Sequence, residues 1–342
     1  MRKFIFKVLT FCILFFSSLV VISVIYENIE IESNDYIKGM IKKHQLLDSI
    51  PSPRIIIAGG SNNAFGINSR LIEEAFELPV INLSIHAGLG TPFIIEEIQQ
   101  GVRNNDIVIL SLEYGLRDGD KFIKKVLPIL PEIKGYAKNY FDSNFLLNIQ
   151  SNVDHVSGKI LQHLIMTLKN SLSQSNGIEV SEIYHMNAFN KYGDVVAHIH
   201  EKSKLKKAQK NDDLKDNSVN DNTEIENDKY FKLINNFKEV ADSKGANVIF
   251  MFPTMAESYY EINSEGLKMY AEDIKKKVNI DIGNDTRSFV YKDSLYYDTP
   301  SHLTGIGRDL RTIDLIKLLK KNTLLFNDDN DIPSNKKINI VD

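Results

Sequence analysis

Apolar residues fall along the chain in two kinds of run, some short and continuous, others spread at helical spacing. "RIIIAGG" (54–60) belongs to the first kind and predicts a strand covered on both faces. "NSRLIEEAFE" (68–77) belongs to the second, with Leu71, Ile72 and Phe76 on one helical face and Asn68 or Ser69 as N-cap. "PVINLSI" (79–85) then predicts a strand, "TPFIIEEIQQGV" (91–102) a helix with Pro92 in its first turn, and "DIVILSLEYG" (106–115) a third strand. This alternation predicts right-handed crossovers and an α/β fold, a three-layer sandwich with a central parallel sheet.

The same pattern returns late in the chain. "NDKYFKLINNFKEVADSKG" (227–245) reads as an amphipathic helix stopped by Gly245, "ANVIFMFP" (246–253) as a fourth buried strand, and "SEGLKMYAEDIKKKV" (264–278) as a helix. "HLTGIGRDLRTIDLIKLLKKN" (302–322) is a last helix with Thr304 as N-cap and lysines in its final turn. Between the two halves lies an insertion at about 116–226, with helices expected around "SNFLLNIQSNV" and "GKILQHLIMTLKNSL". Its run "EKSKLKKAQKNDDLKDNSVNDNTEIEND" has almost no apolar residue to offset ordering entropy, which predicts a mobile surface loop.

The opening segment, residues 1–30, is of another kind. About 19 residues from Val8 to Tyr26 carry no charge, enough to cross a hydrocarbon layer of roughly 30 Å as a helix. A cleaved signal peptide fits less well, because no small-residue pair stands at a cleavage distance. Arg2, Lys3 and Lys7 precede the run and Glu27, Glu30 and Glu32 follow it. That asymmetry predicts a single-pass anchor with a cytoplasmic N-terminus and an extracytoplasmic main domain from residue 31 onward. Cys12, preceded by Leu9-Thr10-Phe11, is no lipidation site and is the only cysteine, so the rest of the chain holds no disulfide. A net charge of −4 argues against a polyanion-binding surface and against nucleic acid as a partner.

In an open parallel sheet ligands gather beyond the carboxyl ends of the strands, and Ser61 stands one step past the first of them. A serine on a tight strand-to-helix turn is exposed and held, as a nucleophile must be, and flanking glycines leave N–H groups for an oxyanion. "GGSN" on its own is equally an ordinary polar turn. "YYDTPSHLTGIG" (296–307) changes the balance, because it puts Asp298 and His302 on a loop before the last helix, within reach of the same sheet edge. A serine, a histidine to take its proton and an aspartate to orient that histidine form the recurrent constellation of acyl transfer.

On these residues the chain resembles the SGNH (GDSL-like) hydrolase superfamily, specifically its membrane-anchored branch associated with O-acylation of bacterial surface polysaccharides. The resemblance covers about 54–115 and 227–322 and leaves out the insertion. "AGGSN" is similar to the first block, with Gly60 where an Asp is often found; "NLSIHAGLG" (82–90) offers Gly88, or Gly90, as the oxyanion glycine; "DTPSH" resembles the last block with one extra residue. The resemblance implies a flavodoxin-like SGNH fold, with Ser61, His302 and Asp298 as catalytic residues. The third block would supply an oxyanion Asn, but "SLEYG" puts Glu113 and Tyr114 there. Asn62 and Asn82 are the candidates to substitute, the alternative being a hole of two backbone N–H groups. The longer spacing leaves Asp298 either to orient His302 or to cap the turn.

Other polar residues carry two readings each. Glu113 either contacts substrate or binds nearby backbone N–H groups, and His86 either lines the site or is a loop histidine. "HIH" (198–200) has a metal-binding spacing on a strand but no evident third ligand, so neither a metal nor another cofactor is expected. Tyr296 and Tyr297 read as packing residues. The expected function is serine-dependent acyl transfer on an extracytoplasmic glycan, as O-acetyltransferase or acetylesterase, with the glycan or an acyl donor as partner. The alternative is a non-catalytic SGNH-like partner beside a multi-span acyltransferase. A carbohydrate-binding module ranks last, since the chain has no Trp for an aromatic platform.

Overall fold

The computed structural model of the chain describes residues 2–33, 35–119, 182–209 and 223–322, with isolated positions between 123 and 140. Five parallel strands form the main sheet: β1 (Ile55–Gly59), β2 (Val80–Asn82), β3 (Ile107–Ser111), β4 (Asn247–Phe250) and, after a two-residue strand β5 (Met255–Ala256), β6 (Asp281–Ile282). Their order is β2-β1-β3-β4-β6, with Ile55 level with Val80 and Ile107, and Ile107 level with Asn247. A separate small sheet pairs β5 with β7 (Val290–Tyr291). The chain winds outward in both directions from β1 and β3, so the crevice of the doubly wound sheet opens between the carboxyl ends of these two strands.

The continuous apolar strands are explained by helices on both sheet faces. Ile56, Ala58, Val108, Leu110, Val248 and Phe250 share one buried cluster with α5 (Thr91–Gly101), α6 (Thr223–Ser243) and α7 (Glu257–Lys277). Ile55, Ile57, Ile107, Ile109 and Ile249 share another with α4 (Ser69–Phe76) and α8 (Gly305–Lys321). Each fully buried Ile removes enough apolar surface from water to favour folding by about 1.5–3 kcal/mol.

Several element boundaries depart from the sequence reading. Ahead of β1, where no apolar period marks an element, the chain forms a helix, α2 (Asp35–Ser49), which buries Tyr36, Ile37, Met40 and Leu47. Lys43 lies on the same inward side, fully buried, and its ammonium donates to the carbonyls of Asn82 and Ser84 at 2.8 Å each and to that of Gly193. Burial pushes the Lys43 pKa down to about 7. A lysine that gives three donors to backbone carbonyls hides the apolar stripe that would have announced this helix. Helix α7 begins seven residues before the expected Ser264, because "ESYYEIN" places Tyr260 in the core two turns ahead of Leu267.

Helix α1 (Arg2–Ser33) contains the apolar opening segment, and Phe4, Phe6 and Phe11 are about 70% exposed. Among the described residues no helix is long and apolar enough to cross a membrane. The helices expected at "SNFLLNIQSNV" and "GKILQHLIMTLKNSL", and most of the lysine-rich run, lie outside the described residues. Of the polar run, residues 201–209 are described and mostly exposed, while the stretch before it is built into the fold. Residues 182–199 return to the sheet and bury Ala188, Phe189 and Val195 against α2 and α3 (Ser61–Gly66). Val195 N–H donates to Ala64 O at 2.8 Å, which ties the inserted segment to the helix that carries Ser61.

Candidate active site

β1 stops at Gly59 because of how closely its backbone meets β3. Gly59 has φ +151°, and a Cβ there would lie 1.9 Å from the Ser111 carbonyl oxygen, so no other residue fits without moving a strand. The chain then turns directly into α3, with Gly60 at its N-cap and Ser61 as its first residue. Asn62 and Asn63 are both buried, and their amides brace the turn. Asn63 Nδ2 donates to Ser111 O at 3.0 Å and Asn62 Nδ2 to the same oxygen at 3.4 Å. From the other side the buried guanidinium of Arg311, on α8, donates to Asn62 O at 2.7 Å and to Asn62 Oδ1 and Asn63 Oδ1 at 3.0 Å. Burial lowers the Arg311 pKa to about 10.

The second wall is the loop before α8. Tyr297 N–H donates to His302 O at 2.7 Å and Tyr296 bridges to Leu303, which closes residues 297–302 into a tight hairpin-like turn. Within it Asp298 Oδ1 faces His302 Nδ1 at 2.9 Å, so the carboxylate orients the imidazole rather than capping the turn. The proton belongs on Nδ1 in this arrangement, which leaves Nε2 as the basic nitrogen. Phe65 stacks on the His302 ring at 4.1 Å with an 8° tilt. Phe65 is four residues after Ser61 on α3, hence on the same helical face, and this contact brings the histidine to the serine's side of the sheet edge. No hydrogen bond joins Ser61 and His302 among the described residues.

A third group reaches the pair from the insertion. The Tyr184 hydroxyl donates to Asp298 Oδ2 and lies 3.3 Å from His302 Nδ1. Burial pulls the Asp298 pKa upward, but hydrogen bonds from His302 and Tyr184 outweigh it and hold the carboxyl below the usual carboxylate range. Burial and the neighbouring Asp298 push the Tyr184 phenol well up, so it stays a donor.

Ser61 opens onto a pocket of about 180 Å³, lined also by Glu113, Arg117, Thr254, Pro300 and Ser301. That is smaller than the roughly 300 Å³ at which drug-sized ligand sites begin, so it admits only a small group. Glu113 fills the space above Gly60, and its Oε1 accepts the Asn62 N–H at 3.0 Å, so it both lines the pocket and holds a backbone N–H.

The remaining oxyanion candidates are differently employed. Gly88 N–H donates to His86 Nδ1 at 2.8 Å, and Gly90 N–H to Ala87 O at 3.0 Å. Asn82 is not at the pocket: its amide donates to Asp194 Oδ1 at 2.9 Å and to Asn63 O at 3.1 Å in a fully buried network. The Asn62 side chain faces Arg311 and Ser111, away from the pocket side where its N–H meets Glu113. Of "HIH", His198 is buried and hydrogen-bonded to Leu303 O at 2.9 Å, while His200 is exposed. No group of three or more His, Cys, Asp or Glu able to hold a metal ion occurs among the described residues. Tyr296 and Tyr297 are buried, Tyr296 sharing a 2.6 Å hydrogen bond with Thr254.

Sequence reasoning missed Tyr184, Arg311, Asn63 and Asp194. Arg311 had a signal, since Gly307, Arg311 and Leu315 fall at fourfold spacing on the buried face of α8, and an arginine there needs partners. Tyr184 and Asp194 had none, because the insertion around them lacks any period.

No protein-family model matches the chain, and no curated protein matches it. The functional reading therefore rests on the geometry above.

Proposed function

We propose that this protein is a membrane-anchored, serine-dependent acyl-transfer enzyme of the SGNH type, acting on ester groups of an extracytoplasmic glycan. The observation that carries the reading is the Asp298–His302 pair at 2.9 Å, stacked through Phe65 on the helix that Ser61 opens. In this reading Ser61 Oγ attacks the acyl carbonyl while His302 Nε2 takes its proton, and the proton passes to the leaving oxygen as the acyl–oxygen bond breaks. Asp298 keeps Nδ1 protonated and stabilises the imidazolium that forms. Water or a sugar hydroxyl then gives its proton to His302 as it attacks the acyl carbon, and His302 returns a proton to Ser61 Oγ as the Ser61–acyl bond breaks, which makes the protein an esterase or a transferase.

The proposed oxyanion donors are the Ser61 N–H and the Gly88 N–H, the second becoming available when His86 releases it. The Arg117 guanidinium is a further donor on the pocket wall. The exposed phenylalanines of α1 support an apolar environment around that helix, and the preceding basic residues favour an extracytoplasmic domain.

Labelling of the full chain by a fluorophosphonate tests the assignment. Wild type is expected to label at Ser61, with loss of signal in Ser61→Ala and in His302→Ala. Folded wild type that does not label would remove the catalytic reading. One observation favours the second reading, a non-catalytic partner of a membrane acyltransferase: Glu113 puts a carboxylate, not an amide, beside Ser61, and a negative charge there opposes an oxyanion. That reading expects Ser61→Ala to leave surface acylation unchanged.

A further inference from the structure

We propose that Tyr184, contributed by the insertion, is a positioning residue that holds Asp298 in register with His302. The inference rests on the acyl-transfer reading for its consequence, but its structural content stands apart from turnover. The two oxygens of Asp298 are divided between two donors, Oδ1 to His302 Nδ1 and Oδ2 to the Tyr184 hydroxyl. A carboxylate held at one oxygen only is free to rotate about its Cβ–Cγ bond. Held at both, it keeps one lone pair aimed at the imidazole.

Tyr184 is itself clamped. Its ring lies 5.8 Å from that of Tyr36 in an edge-on contact and 5.6 Å from that of Phe65, which also stacks on His302. Tyr36 is on α2 and donates its hydroxyl to Ile85 O at 3.0 Å. The insertion, α2 and α3 thus meet in one aromatic nest around the pair. Asp298 is only partly buried, with 25% of its side chain exposed, so without the phenol its second oxygen would be open to water. The other titratable groups packed around the pair are Tyr36, Tyr297 and His198.

The acyl-transfer chemistry needs only the serine, the histidine and the aspartate. Tyr184 adds a means for the insertion to decide whether that set is aligned. Moving the Tyr184 hydroxyl away would release Asp298 Oδ2 while Oδ1 still faced His302.

The test compares full-length wild type with Tyr184→Phe, which keeps the ring contacts and removes only the hydroxyl. Two NMR readings are taken: the titration midpoint of the Asp298 carboxyl carbon and the low-field resonance of the His302 Nδ1 proton. In Tyr184→Phe the midpoint is expected to rise by about half a unit or more, and the proton resonance to broaden or vanish through faster exchange. 3,5-Difluorotyrosine at position 184, a more acidic phenol of nearly the same shape, is expected to move the midpoint the other way. Unchanged midpoint and proton signal in both variants would overturn the proposal. Fluorophosphonate labelling is measured in parallel and should slow several-fold in Tyr184→Phe. If wild type does not label at all, the acyl-transfer reading fails while the two NMR readings still decide the role of Tyr184.

Discussion

The carboxylate of Glu113 occupies the space into which a side chain at position 60 would project. A Cβ on Gly60 would lie 2.2 Å from Glu113 Oε2 and 2.3 Å from Oε1. The two positions are coupled through one volume beside Ser61, and a double-mutant cycle reads that coupling. Gly60→Ala is expected to cost about 1–3 kcal/mol in wild type through overpacking. Combined with Glu113→Ala it should cost at least about 1 kcal/mol less, measured by urea unfolding. Additive costs would mean that Glu113 moves aside freely and does not fix the turn.

Arg311 joins α8 to the Ser61 turn through three hydrogen bonds, all to uncharged oxygens of Asn62 and Asn63. Arg311→Met leaves these buried acceptors unpaired and should destabilise the fold by on the order of 2–4 kcal/mol. Arg311→Lys retains the charge without the planar fork and should recover less than half of the loss. Denaturant midpoints of the two variants check this; a methionine variant as stable as wild type would show that the brace is dispensable.

His198 predicts an acid-sensitive step. Burial lowers its pKa from 6.5 to about 4, so between these values the unfolded chain binds a proton that the folded chain does not. Its contribution to stability is therefore intact above pH 6.5 and is lost as pH falls toward 4. His198→Gln keeps a donor for Leu303 O and removes the titration. The fall in unfolding free energy between pH 7 and pH 4.5 should be smaller in this variant by on the order of 2–3 kcal/mol. An equal fall in both proteins would assign the acid sensitivity to carboxylates alone.

Asp194 fastens the insertion to the sheet. Buried, it accepts from Ser69 N–H at 2.9 Å, Ser69 Oγ at 2.6 Å and Asn82 Nδ2 at 2.9 Å, all outside the insertion. Asp194→Ala strands three buried donors, and limited proteolysis should then cut between residues 182 and 199 faster than in wild type. The same variant should label more slowly with a fluorophosphonate, since Tyr184 leaves Asp298 when the segment lifts. Cleavage at wild-type rates would show that the aromatic nest alone holds the segment.

What the sequence by itself determined is the sheet and the polarity of its edge. Continuous runs such as Ile55–Ile57 and Ile107–Leu110, bounded by turn residues, read as strands with both faces covered, and Gly59-Gly60 allows the abrupt turn that puts Ser61 beyond the strand end. The nearness of Asp298 and His302 in the chain also made their pairing legible, since only a local turn separates them. Tertiary structure alone decided the rest. Asn62 and Asn82 looked interchangeable as oxyanion donors, yet both amides are turned to other partners by Arg311 and Asp194, residues more than 100 positions away. The inward face of α2 was hidden because Lys43 is buried by backbone carbonyls that only the folded chain assembles. Tyr184 carried no periodic or motif signal, because a hydrogen bond to a distant carboxylate constrains one atom in space and leaves no pattern in the residues around it.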